Sequence, residues 1–312
     1  MDKKRLEKQR KRKALIKGLK QHWQLYIFLL PIVIWMAFFE YAPMYGVQIA
    51  FKDFKPYLGI VGSEWNNLEH FKRFFTTNAF STILPNTLIL SIYRLVAGFF
   101  PPIILAICLN YIPNLKFKKL VQNMTYAPHF ISLVVLVNLI TVFFGTSNGL
   151  INNILANMGQ ERIFFLGDGT IFRHLFVWSG VWQGVGWSSI IFLANLTNVN
   201  PELHEAARVD GATILQRIRY IDIPCLKPII ITMLILDAGK VMSVGFDKVY
   251  LMQNSFNLDA SEIISTYVYK RGLLNAQFGY SAAVGLFNSV VNMILLLTTN
   301  KISKKFNETS IL

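Results

Sequence analysis

Polar positions in this chain are bunched rather than alternating. Long runs of residues that are apolar around the whole helical circumference are separated by short polar segments. Such all-round apolarity suits helices surrounded by lipid and protein, not amphipathic helices on a soluble core. A bilayer core is crossed by about 20 mostly apolar helical residues. Six stretches meet that requirement: 25–46, 83–111, 126–144, 174–196, 226–246 and 280–299. Pro101-Pro102 inside the second predicts a bend there. The expected fold is an all-α polytopic membrane protein with six transmembrane helices.

The polar segments give an orientation. Of the 31 Lys and Arg residues, 20 fall in the N-terminal tail, 112–125, 197–227 and 300–312, and nine in 47–82, 145–173 and 247–279. Cytoplasmic loops retain Lys and Arg, so both termini are expected in the cytoplasm. Residues 1–22 form a basic cytoplasmic tail and 300–312 a second one. A nucleic-acid-binding arm or a signal peptide would also begin with basic residues. Here an apolar run starts at Leu25 and continues well beyond the 7–15 residues of a signal core, with no small-residue cleavage site after it. The reading is an uncleaved membrane span in 25–46 and no nucleic-acid partner.

Composition agrees. Hydrophobic residues make up 53% of the 312 and charged residues only 15%, against about a quarter in soluble domains. Cys108 and Cys225 are the two cysteines, which excludes a disulfide framework. The five histidines show no paired metal-ligand spacing. No G-x-S-x-G elbow occurs, and Gly239-Lys240 is followed by Val241 without the upstream glycine of a phosphate-binding loop. Neither a metal site nor catalysis by this chain is expected.

One polar segment carries a sharp pattern. Asn200-Pro201 reads as an N-cap followed by a proline suited to the first helical position. Leu203, Ala206 and Ala207 then share a helix face, and Asp210-Gly211 supplies a turn because glycine adopts positive φ. A second short helix is expected from Ala212 to about Tyr220, with Pro224 breaking the chain before the fifth span. The plain reading is a surface hairpin joining two spans. The full string, however, has Glu205-Ala206-Ala207, then Gly211 after three residues, then Ile221, Asp222, Ile223 and Pro224 after nine more. It resembles the E-A-A-x3-G-x9-I-x-L-P loop of permease subunits of binding-protein-dependent ABC importers, with Ile223 in place of Leu. Tyr41 to Phe54, Tyr126 to Ser132, Gly186 to Ala194, Tyr267 to Gly272 and Tyr280 to Asn288 are similar to MalF-related carbohydrate permeases, in particular the LplB-like oligosaccharide branch.

That resemblance implies a type I ABC importer permease fold, with a core of five transmembrane helices over 82–298, a coupling loop over 200–224 and one extra N-terminal helix. It implies a pathway shared with a second permease subunit, usually different. Two ATPase subunits using ATP and Mg would dock below, and an extracytoplasmic solute-binding protein would deliver a sugar from above. No cofactor is expected on this chain itself. Glu205, Ala206, Ala207, Asp210, Gly211, Ile221 and Pro224 would form the ATPase-facing loop. Sugar-contact candidates are Trp178, Trp182, Gln183, Trp187, Asn195, Asn288 and Asn292. For these, interfacial aromatic belts and helix–helix amide bonds compete as explanations. Asp237 and Lys240, three apart in the fifth span, are expected to form an intramembrane ion pair, since charges in lipid face the protein and pair. The alternative class is an ion-coupled secondary transporter, which would usually show internal repeats; none is found.

Overall fold

A computed structural model describes residues 21–307, so the N-terminal tail up to residue 20 and residues 308–312 lie outside the description. The chain divides into two compact units, residues 1–68 and 69–312. In the first, α1 (Trp23–Met36) runs on through a π-helical turn, Ala37–Tyr41, and a 3-10 segment, Tyr45–Phe51. No residue of α1 is buried within the chain, as expected of a helix whose surroundings are lipid or another protein. A two-stranded antiparallel hairpin follows, with Lys52 opposite Trp65 and Asp53 opposite Glu64.

The second unit is helical throughout. It comprises α2 (Glu69–Thr76), α3 (Asn78–Tyr111), α4 (Leu115–Tyr126), α5 (Leu133–Phe144), α6 (Leu150–Asn157), α7 (Gly169–Thr197), α8 (Pro201–Val209), α9 (Ile223–Ala238), α10 (Phe246–Met252) and α11 (Phe278–Asn307), with shorter turns between. At 34 residues α3 is about 51 Å long. It continues through Pro101 and Pro102 without interruption. It stops where Ile112 turns extended, as a residue before proline prefers. Along α3 lie three buried clusters. Leu90 joins Leu136, Phe172, Phe176 and Val249, whereas Ile83 joins Phe74, Tyr280 and Val284. Near its end, Ala106 and Leu109 meet Phe192, Leu196 and Leu226.

Three of the expected spans take a different form. Residues 126–144 do not make one helix. Pro128 lacks a donor, Ile131 is extended, and Ser132 restarts a helix by accepting from the Val135 N–H. The two halves, Leu115–Phe130 and Leu133–Phe144, are bent by 101°. The fifth stretch ends its α-helix at Ala238 rather than 246: tighter turns follow, with the Lys240, Val241 and Ser243 N–H groups bonding three residues back, and Gly245, at φ +106°, redirects the backbone. In the fourth, α7 is long enough at 29 residues but is interleaved with Gly, Ser and Gln. Among the described residues, three helical stretches are long and apolar enough to cross a membrane alone: Trp23–Phe51, Asn78–Tyr111 and Phe278–Lys301. A fourth is added if the bent pair is one span.

The crossing of α7 over α4 depends on Gly186. A Cβ there would lie 2.1 Å from the Thr125 carbonyl oxygen and 2.9 Å from the Tyr126 ring. Backbone cannot yield as a flexible side chain does, so Gly186→Ala is expected to destabilise the fold by about 3 kcal/mol, the upper end for overpacking. A lowered thermal midpoint of the purified protein checks this. An unchanged midpoint would show that the two helices separate at little cost.

Candidate functional site

The segment 200–224 starts as its sequence suggests. Asn200 Oδ1 accepts from the Glu202 N–H at 3.0 Å, and Pro201 takes the first turn of α8. The helix closes with two bonds, Ala212 N–H to Ala207 O at 2.8 Å and Gly211 N–H to Arg208 O at 3.1 Å. These are the paired bonds of a Schellman cap, with Ala207 as its third residue from the end and Gly211 as its left-handed residue, at φ +78°. The interval between the second alanine and the glycine is therefore the geometry of a helix stop. A Cβ on Gly211 would meet nothing within 4 Å, so Gly211→Ala costs backbone strain alone, about 1–2 kcal/mol. Gly211→Asn is expected to cost less, because Asn tolerates this conformation. Thermal unfolding of the two variants side by side measures the difference.

Beyond the turn the chain departs from expectation. The second helix begins at Ile214, where Thr213 and Gln216 form a capping box. Pro224 does not break it. Residues 218–222 widen into a π-helical turn, and Pro224 occupies the first turn of α9, where a missing N–H is harmless. Helical backbone thus runs from Ile214 into α9 and on to Ala238. The loop's second helix is continuous with α9 rather than hinged beside it.

Glu205, Ala206 and Asp210 are exposed and Ala207 is partly buried. Apolar side chains stand out around them, with Leu203 at 50%, Val209 at 88% and Leu215 at 77% exposure. Ile221 is partly buried and Pro224 exposed. An apolar patch interleaved with a carboxylate is the composition of a protein-binding surface.

Beneath this surface is a polar clasp that the sequence did not reveal. Asp222 is fully buried. Its Oδ2 accepts from the Tyr111 hydroxyl, at the end of α3, at 2.7 Å. Its Oδ1 lies 3.3 Å from His204 Nε2, on α8, at an angle that makes no hydrogen bond. The Arg217 guanidinium lies 5.5 Å from the centre of the Tyr111 ring. One carboxylate at the head of α9 therefore holds the end of α3 by a hydrogen bond and faces His204 of the loop helix.

The sugar-contact candidates do not converge. Trp178 donates to the Tyr93 hydroxyl at 2.8 Å, and with Trp182 it lines an apolar cavity beside Leu136, Ile140 and Phe143. Trp187 stacks on His129 at 4.5 Å. Gln183 faces another space, near Arg94, and donates to the Ile131 carbonyl at 2.8 Å. Asn292 accepts from the Met242 N–H at 3.0 Å and so caps the turn after α9. Asn288 keeps a buried oxygen with no hydrogen bond among the described residues. The Asn195 carbonyl closes the end of α7 by accepting from Asn198. Asp237 and Lys240 form no ion pair within 4.0 Å among the described residues. Helix α9 stops between them, so their spacing no longer stacks two side chains on one face.

This helical fold and its motif-bearing loop are those of a transporter's membrane subunit. The chain belongs to the family of binding-protein-dependent transport system inner membrane components, whose profile matches residues 98–307. It is 45% identical to the polygalacturonan/rhamnogalacturonan transport system permease protein YteP of Bacillus subtilis, over 97% of this chain and 95% of that one. It is 42% identical to protein LplB of the same organism, over 93% and 92%. Among solved structures it resembles a chain of a bacterial ABC transporter involved in the import of the acidic polysaccharide alginate. That match has a TM-score of 0.87 and 37% identity, and covers 94% of this chain and 99% of the other.

Proposed function

We propose that this chain is a membrane permease subunit of an ATP-driven ABC importer for sugars or oligosaccharides. The observation that carries this reading is the family match through 98–307, with the exposed Glu205-Ala206-Ala207-x3-Gly211 loop inside it. The chain works in a permease pair, with a different second permease the favoured arrangement. Separate ATPase subunits use ATP and Mg, and a solute-binding protein delivers the sugar. A solved neighbour of this fold, matching with a TM-score of 0.86, is an alginate ABC transporter in complex with an alginate-bound periplasmic protein. Fragments of acidic polysaccharides are the favoured substrates, a reading supported by that neighbour and by the polygalacturonan/rhamnogalacturonan permease relative.

Within this reading the chain crosses the membrane six times with both termini in the cytoplasm. The short α5 and α9 serve as spans because neighbouring subunits cover their ends and flanking turns. The basic excess in the tails and the 200–224 loop supports that orientation. Glu205, Ala206, Ala207, Asp210, Gly211, Ile221 and Pro224 form the ATPase-docking surface. Closure of the ATPase pair then moves the loop as a rigid body, and its continuity with α9 passes that motion to the membrane.

The direct test is uptake by proteoliposomes holding the complete complex, supplied with its solute-binding protein and a labelled oligogalacturonate or a neutral oligosaccharide. Uptake that requires ATP and the binding protein is expected. Uptake abolished by a protonophore yet indifferent to the ATPase subunits would instead place the chain among ion-coupled transporters.

A further inference from the structure

Arg94 of α3 and Lys248 of α10 line one cavity of about 370 Å³, a size at which small-molecule sites begin. Arg94 donates from Nη1 to the Val244 carbonyl at 2.7 Å and from Nη2 to the Ser243 carbonyl at 3.1 Å. Lys248 Nζ donates to the Phe176 carbonyl at 2.7 Å. Both cations are thus held in place by neutral oxygens. A guanidinium has five N–H groups and an ammonium three, so most of their donors are not used by these bonds. Among the described residues neither has a carboxylate within 4.0 Å.

The nearby carboxylates offset the pair only from a distance, and among the described residues none closes on it from inside the cavity. Asp247 lines the same cavity but is exposed, and Asp237 acts on Arg94 from a second cavity, beyond ion-pair distance. Lys248 is only 8% exposed. Burial, reinforced by the charge of Arg94, pushes its ammonium down to about 8. A buried ammonium beside a partly buried guanidinium is unfavourable unless something anionic completes them. The wall between them has room for a ligand: Gly98 and Gly184 line it, and a Cβ on either would meet nothing within 4 Å.

We infer that this cavity binds a carboxylate-bearing sugar residue, with Arg94 and Lys248 as its anion-recognising pair and Gln183 at its side. The inference rests on the importer reading. A planar guanidinium suits two-point contact with a carboxylate, and the lysine adds a point charge. The ring of Phe176, centred 4.9 Å from Lys248 Nζ, lies against the ammonium and helps to fix its position.

Equilibrium binding to the assembled complex in detergent, without the solute-binding protein, tests it. The probes are trigalacturonate and its carboxyl-reduced counterpart. Wild type is expected to favour the acid at least tenfold. Lys248→Met and Arg94→Gln should each weaken acid binding about tenfold and leave the reduced sugar within twofold, and Lys248→Arg should keep the preference. Gly184→Leu retains both charges and fills the space; it should lose the acid as well. No acid preference in wild type, an equal loss of both sugars in the charge variants, or full acid binding by Gly184→Leu would each overturn the inference. Inorganic phosphate displacing the acid at equal concentration would also overturn it, marking a general anion site. ATP-driven uptake in proteoliposomes is read separately. Uptake that ignores Arg94 and Lys248 removes the cavity but keeps the importer, and charge-dependent binding without uptake of any sugar does the reverse.

Discussion

Glu205→Lys is expected to cut ATP-driven uptake at least tenfold while leaving the protein in the membrane and ATP hydrolysis running. Glu205 lies in the middle of α8, exposed, and makes no ion pair within 4.0 Å among the described residues. Replacing it alters neither the Asn200 cap nor the Schellman stop that define the helix. The change is therefore in surface charge, and its effect depends on what docks there. If a cation of the ATPase subunit meets Glu205, truncating such a buried charged pair costs about 2–5 kcal/mol, and a reversed charge adds repulsion. Since each 1.4 kcal/mol is about tenfold in an equilibrium, the loss of grip is large. Glu205→Gln should fall between wild type and the lysine variant. Glu202→Lys is a useful contrast: Glu202 lies 3.2 Å from Asn200 Nδ2 at the helix start, so its replacement perturbs capping and dipole rather than docking. Immunoblotting of membranes, an ATPase assay and labelled-sugar uptake on one preparation separate the effects. Normal uptake by Glu205→Lys would mean that the ATPase does not grip this helix.

Local chemistry was the legible part of this molecule. Asn200, Pro201 and Gly211 announced a capped, glycine-terminated helix because caps and stops depend on neighbours within five residues. The apolar runs located the long helices α1, α3 and α11 for the same reason. What escaped depended on context. Pro224 reads as a breaker, yet a π-helical turn one residue before it lets the helix continue. The run 126–144 is apolar enough for one span, but apolarity carries no information on direction, and Pro128 with Ser132 turns it through 101°. Asp237 and Lys240 are spaced as partners only on an unbroken helix, and α9 ends at Ala238 between them. Trp178 and Gln183 seemed equal as sugar contacts, although their helix directs them to separate cavities. Arg94 with Lys248, and Tyr111 with His204 and Asp222, are brought together across 154 and 111 residues of sequence, which no spacing rule reaches.

The second large effect is expected at that buried carboxylate. Asp222→Ala should destabilise the protein by about 1.5–3 kcal/mol, because it leaves the Tyr111 hydroxyl without its charge-assisted hydrogen bond. Tyr111→Phe removes one charge-assisted hydrogen bond and should cost about 1.5–3 kcal/mol. The two losses overlap, since the Tyr111 hydroxyl has Asp222 as its hydrogen-bond partner. The double variant should therefore be no worse than Asp222→Ala alone by more than a few tenths of a kcal/mol, a coupling of the size seen for contacting groups. Thermal or denaturant unfolding of the four proteins gives that cycle. Strict additivity would show that the 2.7 Å contact is energetically silent. The consequence for transport follows from position: His204 rides on the loop helix, Tyr111 ends α3, and Asp222 begins α9. A loop that is continuous with α9 and bonded through Asp222 to the end of α3 is expected to move both helices together. With Tyr111→Phe, the loop can shift relative to α3 while remaining continuous with α9, so hydrolysis should exceed uptake more than in wild type even where the protein is fully folded. The ratio of ATP hydrolysed to sugar imported, measured below the variant's unfolding temperature, distinguishes that slippage from simple instability, which would lower both rates together.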